Sequence, residues 1–266
     1  RRQRQMCIRD RVMQTVGIYD RLIITKIPED EIRININLKF LPVNENNLIY
    51  KAYKLMKDEY GFSGGIDVDL NKFIPIAAGM AGGSTDAAST MFAINRLFEL
   101  GLSNEELMKQ GVKIGADVPY CIMRGTALAE GIGEKLTKLS PMPHCHIVVA
   151  KPPINVSTKM VYESLDAGAI TKHPDIDAII EAINEGDVKK VAERMGNVLE
   201  DVTVPMYPVI AKIKNDMISQ GAYNAMMSGS GPTVFGIFPD EQTALKCKEY
   251  LKAQEDARQV YITETF

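Results

Sequence analysis

Few folds can hold the junction written between residues 64 and 101, where a strand passes into a helix through a loop made almost wholly of small residues. Gly64-Gly65 turns the chain into an alternating strand, Ile66 to Leu70. Lys72-Phe73-Ile74-Pro75-Ile76-Ala77-Ala78-Gly79-Met80-Ala81-Gly82-Gly83-Ser84-Thr85-Asp86-Ala87-Ala88 follows. A helix is predicted from about Ser84 to Leu100, with Ala87, Ala88, Met91, Phe92, Asn95 and Phe98 near one face and Gly101 as its stop. The first N–H groups of a helix lack internal partners and lie at the positive end of its dipole, so a phosphate is favoured there. The plainer alternative is a tight turn in which Ser84 or Thr85 only caps the helix. Asp86 would repel a phosphate and is assigned to capping. No Lys follows the glycines as in a Walker A loop, and the spacing from Gly79 to Gly82 is not that of G-x-G-x-x-G, so both common nucleotide loops are set aside.

A chain of 266 residues, at roughly 150 per domain, suggests two lobes. Strand patterns lead from Met13 through Val16, Ile18 and Leu22-Ile23-Ile24, and Ile32, Ile34, Ile36 and Leu38 alternate with polar partners. Asn46 or Asn47 caps a helix ending at Gly61, and Ser103 with Glu106 makes a capping box for a helix ending near Gly111. Tyr120 to Met123, Thr126 to Ala129 and His146 to Ala150 read as short strands. Pro141-Met142-Pro143 marks the boundary between lobes 1–142 and 143–266. Beyond it, helices are predicted at Ile176 to Asn184, Val188 to Met195, Pro208 to Ser219 and around Ala244, Cys247 and Leu251. Strands are predicted at Ala222 to Met227, Thr233 to Phe238 and Val260 to Thr263. Helices and strands mix without strict alternation, which is the α+β class in two lobes.

With 31 basic against 34 acidic residues there is no overall basic field for nucleic acid or an anionic membrane. Cys7, Cys121, Cys145 and Cys247 are far apart and form no C-x-x-C pair, so they read as small buried hydrophobes. The uncharged stretch Met217 to Pro239 is interrupted by Gln220, Asn224 and Ser228-Gly229-Ser230-Gly231-Pro232, unlike a membrane helix. Five arginines fall in the first eleven residues with no apolar segment after them, so no secretory signal is read and a reducing cytoplasm is expected.

Asp117, in Ile114-Gly115-Ala116-Asp117-Val118-Pro119, is either a turn former or a carboxylate able to orient a hydroxyl and take its proton. Ser228-Gly229-Ser230-Gly231-Pro232 is either a hairpin loop or a second glycine-rich backbone that approaches the first. His144 and His146 beside Cys145 give a weak metal signal, and no metal-ligating residue is assigned.

The loop's wording resembles the phosphate loop of the GHMP kinases, and most closely the branch acting on 4-diphosphocytidyl-2-C-methyl-D-erythritol. Met13-Gln14-Thr15-Val16 with Tyr19-Asp20, Asn47-Leu48-Ile49-Tyr50-Lys51-Ala52, the Asp117 segment, Ala129-Glu130-Gly131-Ile132-Gly133-Glu134 and Met227 to Phe235 resemble further stretches of that branch, in the right order. The resemblance implies a ribosomal-S5 domain 2-like N-terminal lobe, a ferredoxin-like C-terminal lobe, and a site between them. It implies that ATP and Mg2+ are used to phosphorylate the 2-hydroxyl of this small cytidylyl alcohol, in non-mevalonate isoprenoid synthesis. By the same resemblance Pro75, Ile76, Ala77, Ala78, Gly79, Met80, Ala81, Gly82, Gly83, Ser84 and Thr85 wrap the ATP phosphates, with Ser84 or Thr85 near Mg2+. Asn47 and Lys72 lie near the adenine, Asp117 is the catalytic carboxylate, and Thr158 faces the acceptor. The residues alone reach only a phosphate-binding α+β enzyme; another GHMP kinase, such as one for homoserine or mevalonate, and an inactive nucleotide-binding fragment stay open.

The branch normally begins with a strand containing Ala-Lys-Ile-Asn-Leu and a turn containing Asp-Gly-Tyr-His, and neither precedes Met13. Residues 1–12 are expected to be a foreign head of translated assembly or adapter sequence. No arginine of that head is expected beside Asp117, so this chain is expected to bind ATP with little transfer.

Overall fold

The computed structural model describes residues 11–166 and 173–266, so the stretch 1–10, with Cys7, lies outside the described residues. The chain's own local signals set most of the first lobe. A sheet of order β2-β4-β3 is built from β2 (Arg21–Ile27), β3 (Ile32–Ile36) and β4 (Gly65–Asn71). β2 runs antiparallel and β3 parallel to β4. A parallel pair needs a crossover, and α1 (Leu48–Tyr60) supplies it. Asn47 begins α1 by accepting from the Ile49 N–H at 2.9 Å, and Gly61 ends it at φ 61°. α2 (Gly82–Leu97) packs on α1, and α3 (Asn104–Gly111) starts with the expected Ser103–Glu106 capping box. Ile49, Met56, Ile66, Val68, Met91, Ile94 and Leu107 are fully buried between these elements. Side chains of this size each contribute about 1.5–3 kcal/mol on burial.

Tyr120 to Met123 is not a strand. It lies in α4 (Val118–Met123), packed against α2 and α3, with Pro119 in its first turn. A four-residue apolar run is too short for its period to separate strand from helix, and the proline in the first turn decides for the helix. α2 begins two residues before the expected Ser84 and ends three before Leu100. A second sheet, of order β1-β5-β6, joins β1 (Arg11–Gln14), β5 (Thr126–Glu130) and β6 (Lys135–Lys138). Arg11 pairs with Ala129 and Val12 with Leu128, so two residues assigned to the foreign head belong to the ladder. β6 escaped the sequence reading because this edge strand is mostly exposed and carries little apolar signal.

The C-terminal lobe contains β7 (His146–Lys151), α5 (Thr158–Ser164), α6 (Ile176–Glu185), α7 (Val188–Arg194), α8 (Glu200–Met206), α9 (Val209–Ser219), β8 (Asn224–Met227), β9 (Val234–Phe238), α10 (Glu241–Lys252) and β10 (Gln259–Glu264). Its sheet has the order β10-β7-β9-β8 with every neighbour antiparallel, which is the ferredoxin-like arrangement. α9 and α10 cover one face with Ile210, Ile213, Met217, Cys247 and Leu251. The other face presents Cys145, Ile147, Val149 and Ile237 to Val16, Ile18 and Met80 of the first lobe. Helices α5 and α8 were not foreseen, since each buries a single residue, Val161 and Thr203, and writes no apolar stripe.

Cys121, Cys145 and Cys247 are buried free thiols, and burial pushes them up to about 11, 11 and 12. Among the described residues no helix is long and apolar enough to cross a membrane.

Candidate active site

The small-residue loop leaves β4, bends through left-handed backbone at Ala77 (φ 49°), Gly79 (φ 69°) and Ala81 (φ 51°), and enters α2. Ala81 is the N-cap of α2 and offers no side-chain cap. The first-turn N–H groups of Gly82, Gly83 and Ser84 therefore lack the partner that Asn47 gives α1, and an anion suits them. The glycines serve packing beneath and beside the loop. A Cβ on Gly79 would lie 2.1 Å from the Ser228 carbonyl oxygen, and one on Gly82 would lie 2.9 Å from Ile74 Cγ2. Of the two hydroxyls at the helix start, Thr85 Oγ1 donates to the Ala81 carbonyl at 3.1 Å, whereas Ser84 Oγ lies toward Gly115 in the segment that leads to Asp117.

Asp86 does not cap the helix. It is buried, and its Oδ2 lies 2.8 Å from Lys72 Nζ, which also pairs with Asp20. The physical reason is position: a cap precedes the first turn, while Asp86 is the fifth residue of α2 and faces inward. Burial pushes its carboxyl up to about 7, Lys72 opposing the rise and Asp20 adding to it. Lys72, expected near an adenine, thus has its ammonium committed to two carboxylates, and the Asn47 amide is engaged in capping α1 and in donating to the Pro42 carbonyl at 2.7 Å.

Asp117 stands at the start of α4, making no side-chain cap there. Its Oδ1 lies 2.8 Å from Arg11 Nη2, which overturns the expectation that no head arginine would reach it. Pairing of β1 with β5 sets Arg11 opposite Ala129, and the turn that follows β5 folds back so that a Cβ on Gly133 would touch Arg11 Nη2 at 2.8 Å. α4 is tied to α2 through Thr85 Oγ1 and Cys121 Sγ, 3.4 Å apart, so the aspartate and the loop ride on neighbouring helices.

The second glycine-rich loop does approach the first. Ser228 Oγ donates to the Gly79 carbonyl at 2.8 Å, and a Cβ on Gly229 would lie 3.4 Å from the same oxygen. Thr158, the first residue of α5, shares a 2.8 Å hydrogen bond with Ser230. Sequence reasoning missed the residues that hold this loop: the Asn197 amide donates to the Met227 and Gly229 carbonyls at 2.8 Å each, and Glu200 accepts from the Met227 N–H at 2.7 Å. No local pattern marks such contacts.

His144 and His146 face Glu264 at 3.0 and 3.5 Å, while Cys145 turns into the core. They border a depression of about 540 Å³ that shares no residue with the loop, Asp117 or Thr158. Among the described residues no group of three or more His, Cys, Asp or Glu can hold a metal.

The GHMP kinases N terminal domain family matches residues 47–125, and the GHMP kinases C terminal family matches residues 179–257. The chain is 70% identical over 255 residues to 4-diphosphocytidyl-2-C-methyl-D-erythritol kinase of Lachnospira eligens, covering 96% of this chain and 88% of that protein. It is 50% identical, over the same shares, to the enzyme of that name from Lachnoclostridium phytofermentans. A crystal structure of 4-(cytidine 5'-diphospho)-2C-methyl-D-erythritol kinase superposes with a TM-score of 0.81 at 27% identity, over 96% of this chain and 88% of that one. Homoserine kinase from Cytophaga hutchinsonii, at 19% identity and a TM-score of 0.79 over 95% of this chain and 88% of that one, shares the fold. Identity this high over nearly the whole chain, with both domain families matched in order, makes the chain a member of the GHMP kinases and, within them, of the 4-diphosphocytidyl-2-C-methyl-D-erythritol kinase family.

Proposed function

We propose that the chain transfers the γ-phosphoryl group of ATP to the 2-hydroxyl of 4-diphosphocytidyl-2-C-methyl-D-erythritol, releasing ADP, as a cytoplasmic step of isoprenoid synthesis. The observation that carries the reading is the uncapped start of α2, fed by a small-residue loop and neighboured by the helix that Asp117 begins, in a chain 70% identical to an enzyme of that name. The loop from Pro75 to Thr85 receives the phosphates through its N–H groups. Asp117 orients the acceptor hydroxyl and takes its proton at the carboxylate oxygen that Arg11 does not engage, while the hydroxyl oxygen bonds to phosphorus and the bond to ADP breaks. Arg11 holds the carboxylate in place, and Thr158 with Ser230 faces the acceptor from the lobe that begins near residue 143.

The donor set suits an ion carried mainly by the nucleotide: hydroxyls at Ser84 and Thr85, with Asp86 turned away into its ion pair and no carboxylate cluster among the described residues. Mg2+, when bound with the nucleotide beside these hydroxyls, would neutralise charge on the phosphate oxygens. The test is ADP release with the cytidylyl alcohol beside homoserine and mevalonate. Preference for either of the latter assigns another GHMP reaction, and ATP binding without release with any alcohol leaves a nucleotide-binding protein.

A further inference from the structure

Lys72 is an unusual lysine: its side chain and those of Asp20 and Asp86 are 5%, 1% and 6% exposed, and its one ammonium touches both carboxylates. One carboxylate already neutralises a buried ammonium, and a second adds to the cost of burying the cluster, which is why burial and Asp20 raise the Asp86 carboxyl. What the second carboxylate adds is reach. Asp20 Oδ1 accepts from the Phe73 N–H at 2.6 Å and the Ile74 N–H at 2.9 Å, so Asp20 grips the chain where it enters the loop. Asn37 holds the same point, accepting from the Lys72 N–H at 3.0 Å. Asp86 belongs to α2, where the loop ends, and a Cβ on Gly82 would lie only 3.3 Å from Lys72 Nζ. The lysine therefore lies directly under the helix start. Between these two fixed ends, Ala77 and Ala81 hold left-handed backbone that costs an alanine roughly 1–2 kcal/mol each, a shape that persists only when its surroundings impose it.

We propose that Asp20, Lys72 and Asp86 form a buried strut that fixes the distance between the two ends of the phosphate loop, so that the loop has its anion-receiving shape before ATP arrives. Asp20 and Lys72 are positioning residues that act from beneath the loop, and Lys72 does so without touching the base. The inference rests on the reading of the loop as the ATP site.

The test is calorimetric binding of ATP with Mg2+ to the full 266-residue chain, with hydrogen exchange of the loop amides and nucleotide-free melting measured alongside. Asp20→Asn keeps the side chain's size and leaves Lys72 neutralised by Asp86. The double variant Lys72→Met with Asp86→Asn cuts the strut while Asp20 still holds Phe73 and Ile74. Each is expected to raise the ATP dissociation constant about tenfold, the cost of ordering a loop no longer preorganised. Loop amides should exchange faster without nucleotide and equally at saturation; Asp20→Asn should melt close to wild type, while the double variant, which leaves Asp20 buried without its cation, should melt lower. A wild-type chain that binds no ATP overturns the nucleotide reading and the strut with it. A wild-type chain that binds while both variants bind equally well, or while neither variant folds, overturns the strut alone, since the cluster is then packing or core stability.

Discussion

Arg11 Nη2 lies 2.8 Å from Asp117 Oδ1, joining the first described strand to the start of α4, with the two side chains 32% and 38% exposed. At that exposure, water screens the pair and its energetic worth is about 1 kcal/mol. Its consequence is orientation. Arg11→Met is expected to lower turnover by about fivefold, the rate equivalent of that energy, with the ATP dissociation constant unchanged. Steady-state rates and calorimetry on the same preparation check this, and unchanged turnover removes Arg11 from the site.

Asp117→Asn preserves shape but cannot take the hydroxyl proton. ATP affinity should stay within about twofold while turnover falls by about 10² to 10⁴, the range for a positioned proton acceptor. A variant that keeps most of its turnover returns Asp117 to the role of a turn former.

Gly79 and Gly101 have nearly the same backbone, φ 69° and 70°, in different surroundings. A Cβ on Gly79 meets the Ser228 oxygen at 2.1 Å, and one on Gly101 meets nothing within 4 Å. Both alanine variants pay roughly 1–2 kcal/mol for left-handed backbone. Only Gly79→Ala should also lose the stabilisation by nucleotide, about 2.7 kcal/mol at 100 times the dissociation constant. Thermal melts with and without ATP compare the two, and equal ATP-induced shifts would mean that contact between the two loops has no part in binding.

Burial raises the Asp86 carboxyl from 3.8 to about 7 in the folded chain. Between those values the folded chain binds more protons than the unfolded one, so this group's contribution to stability falls as pH rises and is fully lost above the folded value. Asp86→Asn has no such slope. Its melting temperature relative to wild type should therefore rise between about pH 5 and about pH 8, and a constant difference would mean that the carboxyl titrates in its ordinary range.

Much of this architecture is written locally. Asn47, Gly61 and the Ser103–Glu106 box mark helix ends with signals a few residues long, and the structure uses each of them. The phosphate loop is legible for the same reason, since a strand, a run of small residues and a helix are consecutive. What could not be read is partnership at a distance. Asp86 lies 14 residues from Lys72 and Lys72 lies 52 from Asp20, so the cluster exists only once β2, β4 and α2 are assembled, and Asp86 alone looked like a capping residue. Arg11 and Asp117, 106 residues apart, meet only through the pairing of β1 with β5. Tyr120 to Met123 failed differently, through four apolar residues that suit either period.

The Val16–Thr265 bridge and the bond from the Phe266 N–H to the Thr15 carbonyl, 3.1 Å, bring the end of the ferredoxin-like sheet back to the first described strand. During synthesis the ribosome makes β10 after every other described element, so this seam is sealed last. The Gln14 amide also donates to the Phe266 carbonyl at 3.3 Å, so the sheet of the second lobe steadies from a distance the strand that carries Arg11.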